Sequence, residues 1–404
     1  MAAEELRRHN LASVLSRLHL AGSSSRSQLT SFTELNRSTI ADLIGELSAL
    51  GLVEERPGSS SSRPGRPSPI VATRPESVAV LAIEIAVDSI ALATVGLGGH
   101  IYNKLRIARP RGRFSPEETV QEVAKLAGTL LDSLPTHRPY FVGVAAAVAG
   151  VVRRSDGLVR LSPNLGWRDV PFANMLAEVL GLGAPILVAN EADMGALAEY
   201  RRGEHAGVQH LVYVSGEVGL GTGIIVNGKG LGGAAGYAGE VGHTLINPEG
   251  RACRCGAVGC WETEAGEAAL LRRAGLQMTE TGTEVLESIA QRALEDDRDV
   301  LAAIDGIGHW LGLGVGDLIN TFNPEAVVMG GLYHRLYEFL ESSLLDAVRS
   351  RALEAPLEIA VIGPSELGAD SPLIGAAELA LTGVLSDPAS VSDVTTSQGI
   401  PSAH

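Results

Sequence analysis

The stretch GHTLINPEGRACRCGAVGCWE, Gly242 to Glu262, holds all three cysteines of a 404-residue chain. Cys253, Cys255 and Cys260 follow a C-x-C-x4-C spacing, with Gly256 and Gly259 inside it and His243 ten residues upstream. Three thiolates and one imidazole make a closed tetrahedral shell, the usual arrangement of structural zinc. Four protein ligands leave no open position, so such a metal fixes a loop and performs no chemistry. The chain has no C-x-x-C redox pair, and an odd cysteine count argues against a disulfide framework.

A second group of residues suits DNA. Leu11, Val14, Leu15 and Leu18 recur at i, i+3, i+4 and i+7, the apolar face of a first helix. Ser25 and Gln28 have capping-box spacing, so a short second helix starts at Arg26. Asn36 caps a third helix with the stripe Ile40, Leu43, Ile44, Leu47 and Leu50, stopped by Gly51. Three short helices with a tight break before the third form a helix-turn-helix pattern. Asn36, Arg37, Ser38 and Thr39 stand at the start of the recognition helix, where side chains reach base edges and N–H groups meet phosphate; Arg26 joins them from the second helix. Arg63, Gly65 and Arg66 sit in the run RPGRP. Two arginines around a glycine suit a narrow, electronegative minor groove, and the same composition also suits a flexible linker. The head as a whole resembles the winged helix-turn-helix domain of bacterial repressors, with Gly58–Ser68 as the wing. Glu34 departs from that pattern, because such turns often carry glycine.

Charge separates this head from the body. Residues 1–75 carry nine Arg and no Lys against seven acidic residues, while the whole chain has a net charge of −15. A mildly basic head on an acidic body disfavours nonspecific polyanion binding by the whole molecule and fits a small DNA-binding module. Hydrophobic residues at 45 %, aromatics at only 4 % and 48 glycines fit an aliphatic-packed α/β body. Apolar runs such as VAVLAIEIAVDSIALATVGLGG, YFVGVAAAVAGVV, PILVAN, HLVYVSGEVGLGTGIIVNGK and AVVMGG alternate with helical patterns, the longest from Glu284 to Phe322. No run is long enough to span a membrane and the N-terminus lacks signal-peptide character, so a cytoplasmic location is expected.

The residues around the cysteines resemble the signature of the ROK family (repressors, open reading frames, kinases): Glu240–His243, then Cys253–Glu262, supported by LSPNLGW, VANEADMGALAE, GLGTGIIVNGK and VVMGG. The similarity runs toward its xylose and N-acetylglucosamine repressors. It implies an α/β, actin-like (RNase H-like), two-lobed sugar-kinase fold behind the winged helix-turn-helix domain. The implied divisions are residues 1–75 for the head, 76–190 for a first lobe completed by a helix near 371–384, 191–370 for a second lobe with the zinc loop, and 385–404 for a disordered tail. By the same resemblance Asn164, Asn190, Glu191, Glu240, His243 and Glu262 face a sugar. His243 then gives one ring nitrogen to zinc and the other to a hydroxyl. For Asn164 a loop-capping role stands beside the sugar role.

The family holds both kinases and repressors, and phosphoryl-transfer chemistry decides between them. Family kinases carry Asp-x-Gly-Gly-Thr after the first body strand. Here the stretch is EIAVDS, with Glu84 at the Asp position and Ala86, Val87 and Asp88 replacing Gly-Gly-Thr. Side chains and an added carboxylate obstruct and repel phosphate. Glu191 stands at the position of the catalytic Asp, one methylene too long. The expectation is a degenerate kinase without nucleotide: a homodimeric or homotetrameric repressor that binds operator DNA and a sugar or sugar phosphate. An ATP-dependent sugar kinase retaining a DNA-binding head, or a protein-binding scaffold, are the competing readings.

Overall fold

The computed structural model describes residues 2–57, 68–112, 114–134, 139–277 and 282–391. The chain opens with α1 (Ala2–Ala21), β1 (Ser24–Ser25), α2 (Arg26–Thr33), α3 (Arg37–Ala49), β2 (Val53–Arg56) and β3 (Ile70–Thr73). Its helix starts follow their capping residues. Ser25 Oγ accepts the Gln28 N–H while Gln28 Oε1 accepts the Ser25 N–H, and Asn36 Oδ1 accepts the Thr39 N–H. Glu34 closes α2 in the left-handed region, φ 57°, so the turn keeps its geometry without glycine. The strands pair antiparallel in the order β1-β3-β2, the small sheet of a winged helix.

The body continues with β4 (Val78–Ile85), β5 (Ser89–Gly96), β6 (Ile101–Ala108), α4 (Pro116–Asp132), β7 (Tyr140–Val148), β8 (Val151–Arg153), β9 (Leu158–Ser162), β10 (Trp167–Val170), α5 (Phe172–Leu180), β11 (Ile186–Asn190) and α6 (Glu191–Arg202). The second lobe continues with β12 (Leu211–Gly216), β13 (Leu220–Val226), β14 (Lys229–Gly230), α7 (Trp261–Ala265), α8 (Glu267–Arg273), α9 (Gly282–Leu294), α10 (Arg298–Phe322), β15 (Ala326–Gly331), α11 (Leu332–Arg335), α12 (Tyr337–Arg351), α13 (Glu354–Leu357) and β16 (Val361–Pro364). The last helix is α14 (Ser371–Ser386).

The two main sheets have one topology. Their orders are β6-β5-β4-β7-β11 and β14-β13-β12-β15-β16, each an antiparallel meander extended by two parallel strands. This repeated arrangement is the actin-like fold expected from the sequence. Central β4 is buried along its whole length, as a strand covered on both faces requires.

Two differences from expectation concern element ends. The helical stretch Glu284–Phe322 is broken: Asp296 takes φ 58°, and the Asp297 carboxylate accepts the Asp299 and Val300 N–H groups to start α10 afresh. The polar tail expected from 385 begins later. Leu385 and Val391 are buried in the core that the head shares with the first lobe, and residues 392–404 lie outside the described range.

Between the sheets, α6 and α14 pack backbone to backbone. A Cβ on Gly375 of α14 would collide with the Met194 carbonyl of α6, whereas Gly383 on the same helix faces open space. Gly375→Ala is therefore expected to cost roughly 1–3 kcal/mol. Gly383→Ala is expected to add about 0.4–1 kcal/mol through a stiffer unfolded chain and better helix propensity. Urea unfolding of both variants measures the pair.

Candidate sugar cleft and metal loop

His243 ends a single 3-10 turn, Val241–His243, and Cys260 is the residue before α7. The side-chain donors of His243, Cys253, Cys255 and Cys260 all lie within 4.8 Å of one another. Cys253 Sγ is 3.6 Å from His243 Nδ1, and Cys255 Sγ is 3.6 Å from Cys260 Sγ. Ligand bonds of ~2.3 Å at tetrahedral angles put neighbouring sulfurs roughly 3.8 Å apart, so the donor set fits a metal ion. All three thiols are free of disulfides. The loop is tied to the second lobe by Trp261, which is fully buried and donates from Nε1 to the Trp310 carbonyl in α10 at 2.9 Å.

Next to this loop a cavity of about 570 Å³ opens between the lobes, and Asn164, Asn190, Glu191, Glu240, His243 and Glu262 all line it. Their positions follow from the elements. Asn164 lies in the β9–β10 turn, Asn190 ends β11, Glu191 starts α6, and Glu262 is in the first turn of α7. The Asn190 amide is committed to the backbone: Oδ1 accepts from Ala192 and Asp193 N–H (2.8 and 3.1 Å), and Nδ2 donates to the Gly150 carbonyl (2.9 Å). It caps α6 and so sets where Glu191 stands. Glu262 Oε2 accepts the Leu220 N–H at 3.2 Å, joining the metal loop to the β12–β13 hairpin.

Two further lining residues escaped the sequence reading. Arg254, between the first two cysteines, donates to Asn164 Oδ1 across the cleft at 2.7 Å. Its place inside the metal loop was the available signal. Glu217, from the hairpin, also faces the cavity. The glycines of GLGTG have a packing cause. A Cβ on Gly223 would strike the Ala192 carbonyl, so the hairpin lets the first turn of α6 lie on β13.

The region beyond Glu191 is crowded with paired and unpaired carboxylates. Glu84, buried in β4, takes two hydrogen bonds from Arg106 at 3.2 and 2.9 Å. Arg111 forks onto Glu267 of α8 at 2.8 and 2.9 Å and reaches Asp88 at 3.3 Å, bridging the lobes. Burial, then the neighbouring charges of Asp88, Glu84 and Glu267, pushes Glu217 up to about 8. Burial and the charges of Glu217, Glu84 and Asp88 raise Glu191 well above the usual carboxylate range.

A loop whose four donors could hold a metal ion, beside an interlobe cavity on two sheets of identical order, lies within the stretch that the ROK family model matches, residues 80–382. The chain belongs to the ROK family. The xylose repressor of Caldicellulosiruptor bescii is 30 % identical over 379 residues, covering 90 % of this chain and 93 % of its own. A solved ROK family transcriptional regulator, a homologue of the Escherichia coli Mlc protein, superposes with a TM-score of 0.77 at 23 % identity, over 97 % of this chain and all of its own. A ROK glucokinase from Streptomyces griseus, solved with glucose and AMPPNP, has a TM-score of 0.66 at 26 % identity; it covers 75 % of this chain and 99 % of its own.

The head of this ROK chain leaves Arg37 exposed at the start of α3. Ser38 and Thr39 turn their hydroxyls inward, both donating to Asn36 Oδ1 (2.6 and 3.0 Å). Arg26 forks onto Glu55 of β2 at 2.5 and 2.6 Å, which offsets its charge and ties α2 to the small sheet. Arg63, Gly65 and Arg66 fall outside the described residues.

The Glu217 shift makes a pH prediction. Between the ordinary carboxyl range and about 8, the folded chain holds a proton that the unfolded chain has released. Stability therefore falls as pH rises through that window, by much less than a full proton's worth per pH unit because solvent reaches the exposed Glu217 side chain. Glu217→Gln should flatten the slope and raise the urea midpoint most at about pH 8.

Proposed function

We infer that this ROK chain is a sugar-responsive DNA-binding transcriptional repressor whose kinase-type cleft binds a sugar without phosphorylating it. One observation carries the reading: the chain joins a winged helix-turn-helix head to a cleft whose phosphate side is filled by its own ion pairs. A polyphosphate placed there would need guanidinium partners, and the nearest, Arg106 and Arg111, already serve Glu84, Asp88 and Glu267. A neutral polyol has no such need. The carboxylates of Glu191, Glu240 and Glu262 accept from hydroxyl pairs, and Asn164 and Arg254 supply further polar groups at the mouth.

Zinc is the metal that three thiolates and an imidazole select. With His243 Nδ1 turned toward Cys253, Nε2 is left for a sugar hydroxyl, so the metal orients a sugar-reading group. In a homodimer two heads would present one α3 per major groove, at half-sites roughly 34–36 Å apart. Arg37, exposed at the start of α3, is the described side chain best placed for base edges.

Titration of the DNA upstream of the chain's own gene, at fixed salt, tests the reading against xylose, glucose, N-acetylglucosamine and their phosphates. One of them should change operator affinity about 5–150-fold. Glu262→Gln should abolish that response and leave affinity for DNA without sugar unchanged. Steady ATP-dependent phosphorylation of any of these sugars would return the chain to the kinases. Purified protein should carry about one zinc per chain, and chelation should lower both its melting temperature and its sugar affinity.

A further inference from the structure

Helix α6 touches the cavity with one end and the DNA-reading head with the other. It runs from Glu191, on the cavity wall, to Arg202, about 18 Å away at 1.5 Å per residue. At that far end Arg201 and Arg202 converge on Glu378 of α14, a carboxylate with a side-chain exposure of 2 %. Arg202 Nε donates to Oε1 at 2.7 Å, and Arg201 Nη1 donates to Oε2 at 3.1 Å and to the Glu378 carbonyl at 2.9 Å.

The remaining partner comes from the head. His19, in the last turn of α1, is fully buried and lies 3.1 Å from both Glu378 oxygens through Nε2. The Gly98 N–H donates to its Nδ1 at 2.9 Å, and its Nε2 meets both Glu378 and Arg202 Nη2. Arg202 Nη1 then donates to the His19 carbonyl at 3.0 Å, so one guanidinium holds both the head and Glu378. Burial alone would raise the Glu378 carboxyl; the hydrogen bond from His19 and the nearby positive groups hold it at about 2 instead.

The head does not hang on a linker at this point. Leu11, Val14, Leu15 and Leu18 of α1 share one hydrophobic core with Leu373, Leu381, Leu385 and Val391. A buried network of charged and hydrogen-bonded partners holds its members closely, and displacing them is costly. Any slide or rotation of α6 that follows a change at Glu191 moves two guanidinium groups against a histidine of the head.

We propose that His19, Arg202 and Glu378 are positioning residues that carry the occupancy of the cleft along α6 to the DNA-binding head. The inference rests on the reading of the cavity as the effector site. Neither Arg202 nor Glu378 nor His19 lines that cavity, so their replacement separates transmission from ligand binding.

The experiment measures operator affinity with and without the active sugar, and sugar affinity without DNA, for the full zinc-loaded chain. In Glu378→Gln and Arg202→Met the ratio of operator affinities should fall to within about twofold of one. Their sugar affinity should stay within about threefold of the parent. His19→Gln, which keeps a donor toward Glu378, should retain more of the ratio than His19→Leu. Circular dichroism and zinc content identify any variant that fails to fold, and Arg202→Lys supplies a milder replacement. A folded Glu378→Gln variant with lower DNA affinity but the parental ratio would reduce the triad to a structural joint and overturn the proposal. A parental ratio of one with every sugar would sink the effector reading itself.

Discussion

The Met194 carbonyl leaves no room for a side chain at Gly375, and much of the molecule is arranged around that approach. It lets α6 and α14 lie together between the two sheets. Because α6 is capped by Asn190 at the end of β11, the same packing fixes Glu191 at the cavity wall. Because α14 continues to the edge of the head, it also fixes Glu378 beneath His19. The contact is local and apolar in origin, yet it sets the position of charged groups at both ends of a helix about 18 Å long.

Charge in the cleft then follows from burial. A carboxylate removed from water is stable only if ionised partners compensate it or if it keeps its proton. Glu84 takes the first course through Arg106, and Asp88 and Glu267 share Arg111. Glu217, still reached by solvent, is pushed up by its desolvation and its acidic neighbours. A site made of such groups offers hydrogen-bond acceptors and donors for hydroxyls. The run Ala86, Val87 and Asp88, which by resemblance stands where the family's kinases carry Gly-Gly-Thr, lies beside these ion pairs.

Much of this was legible in the sequence because it is periodic or compact. The helical stripes of the head, its two capping residues and the metal tetrad are each short-range patterns, and the structure places them as those patterns imply. The six cavity residues came from a long family signature and not from periodicity. Contacts between distant segments were not legible. Nothing local in DSIAL or RPRGR pairs Asp88 with Arg111 and Glu267, and His19 reads as a polar interruption of an apolar helix face until α14 lies over it. Arg26 likewise reads without its partner: Glu55, twenty-nine residues on, holds its guanidinium. Where the longest helical pattern broke, one aspartate carboxylate outweighed continuous apolar periodicity.

The interlobe bonds define what an effector must change. Arg254 to Asn164 crosses the cleft at the cavity mouth, and Arg111 to Glu267 crosses it on the phosphate side. A ligand shifts a two-state equilibrium only by the difference in its affinity for the two states. A sugar that takes the Asn164 amide must release Arg254 from it or accept a bond from Arg254 itself, and the two outcomes bias lobe closure in opposite directions. The head shares its core with the first lobe and α14, so it travels with that lobe. Under the proposed reading, a sugar that kept Arg254 across the cleft would hold the lobes together, and one that displaced it would loosen them.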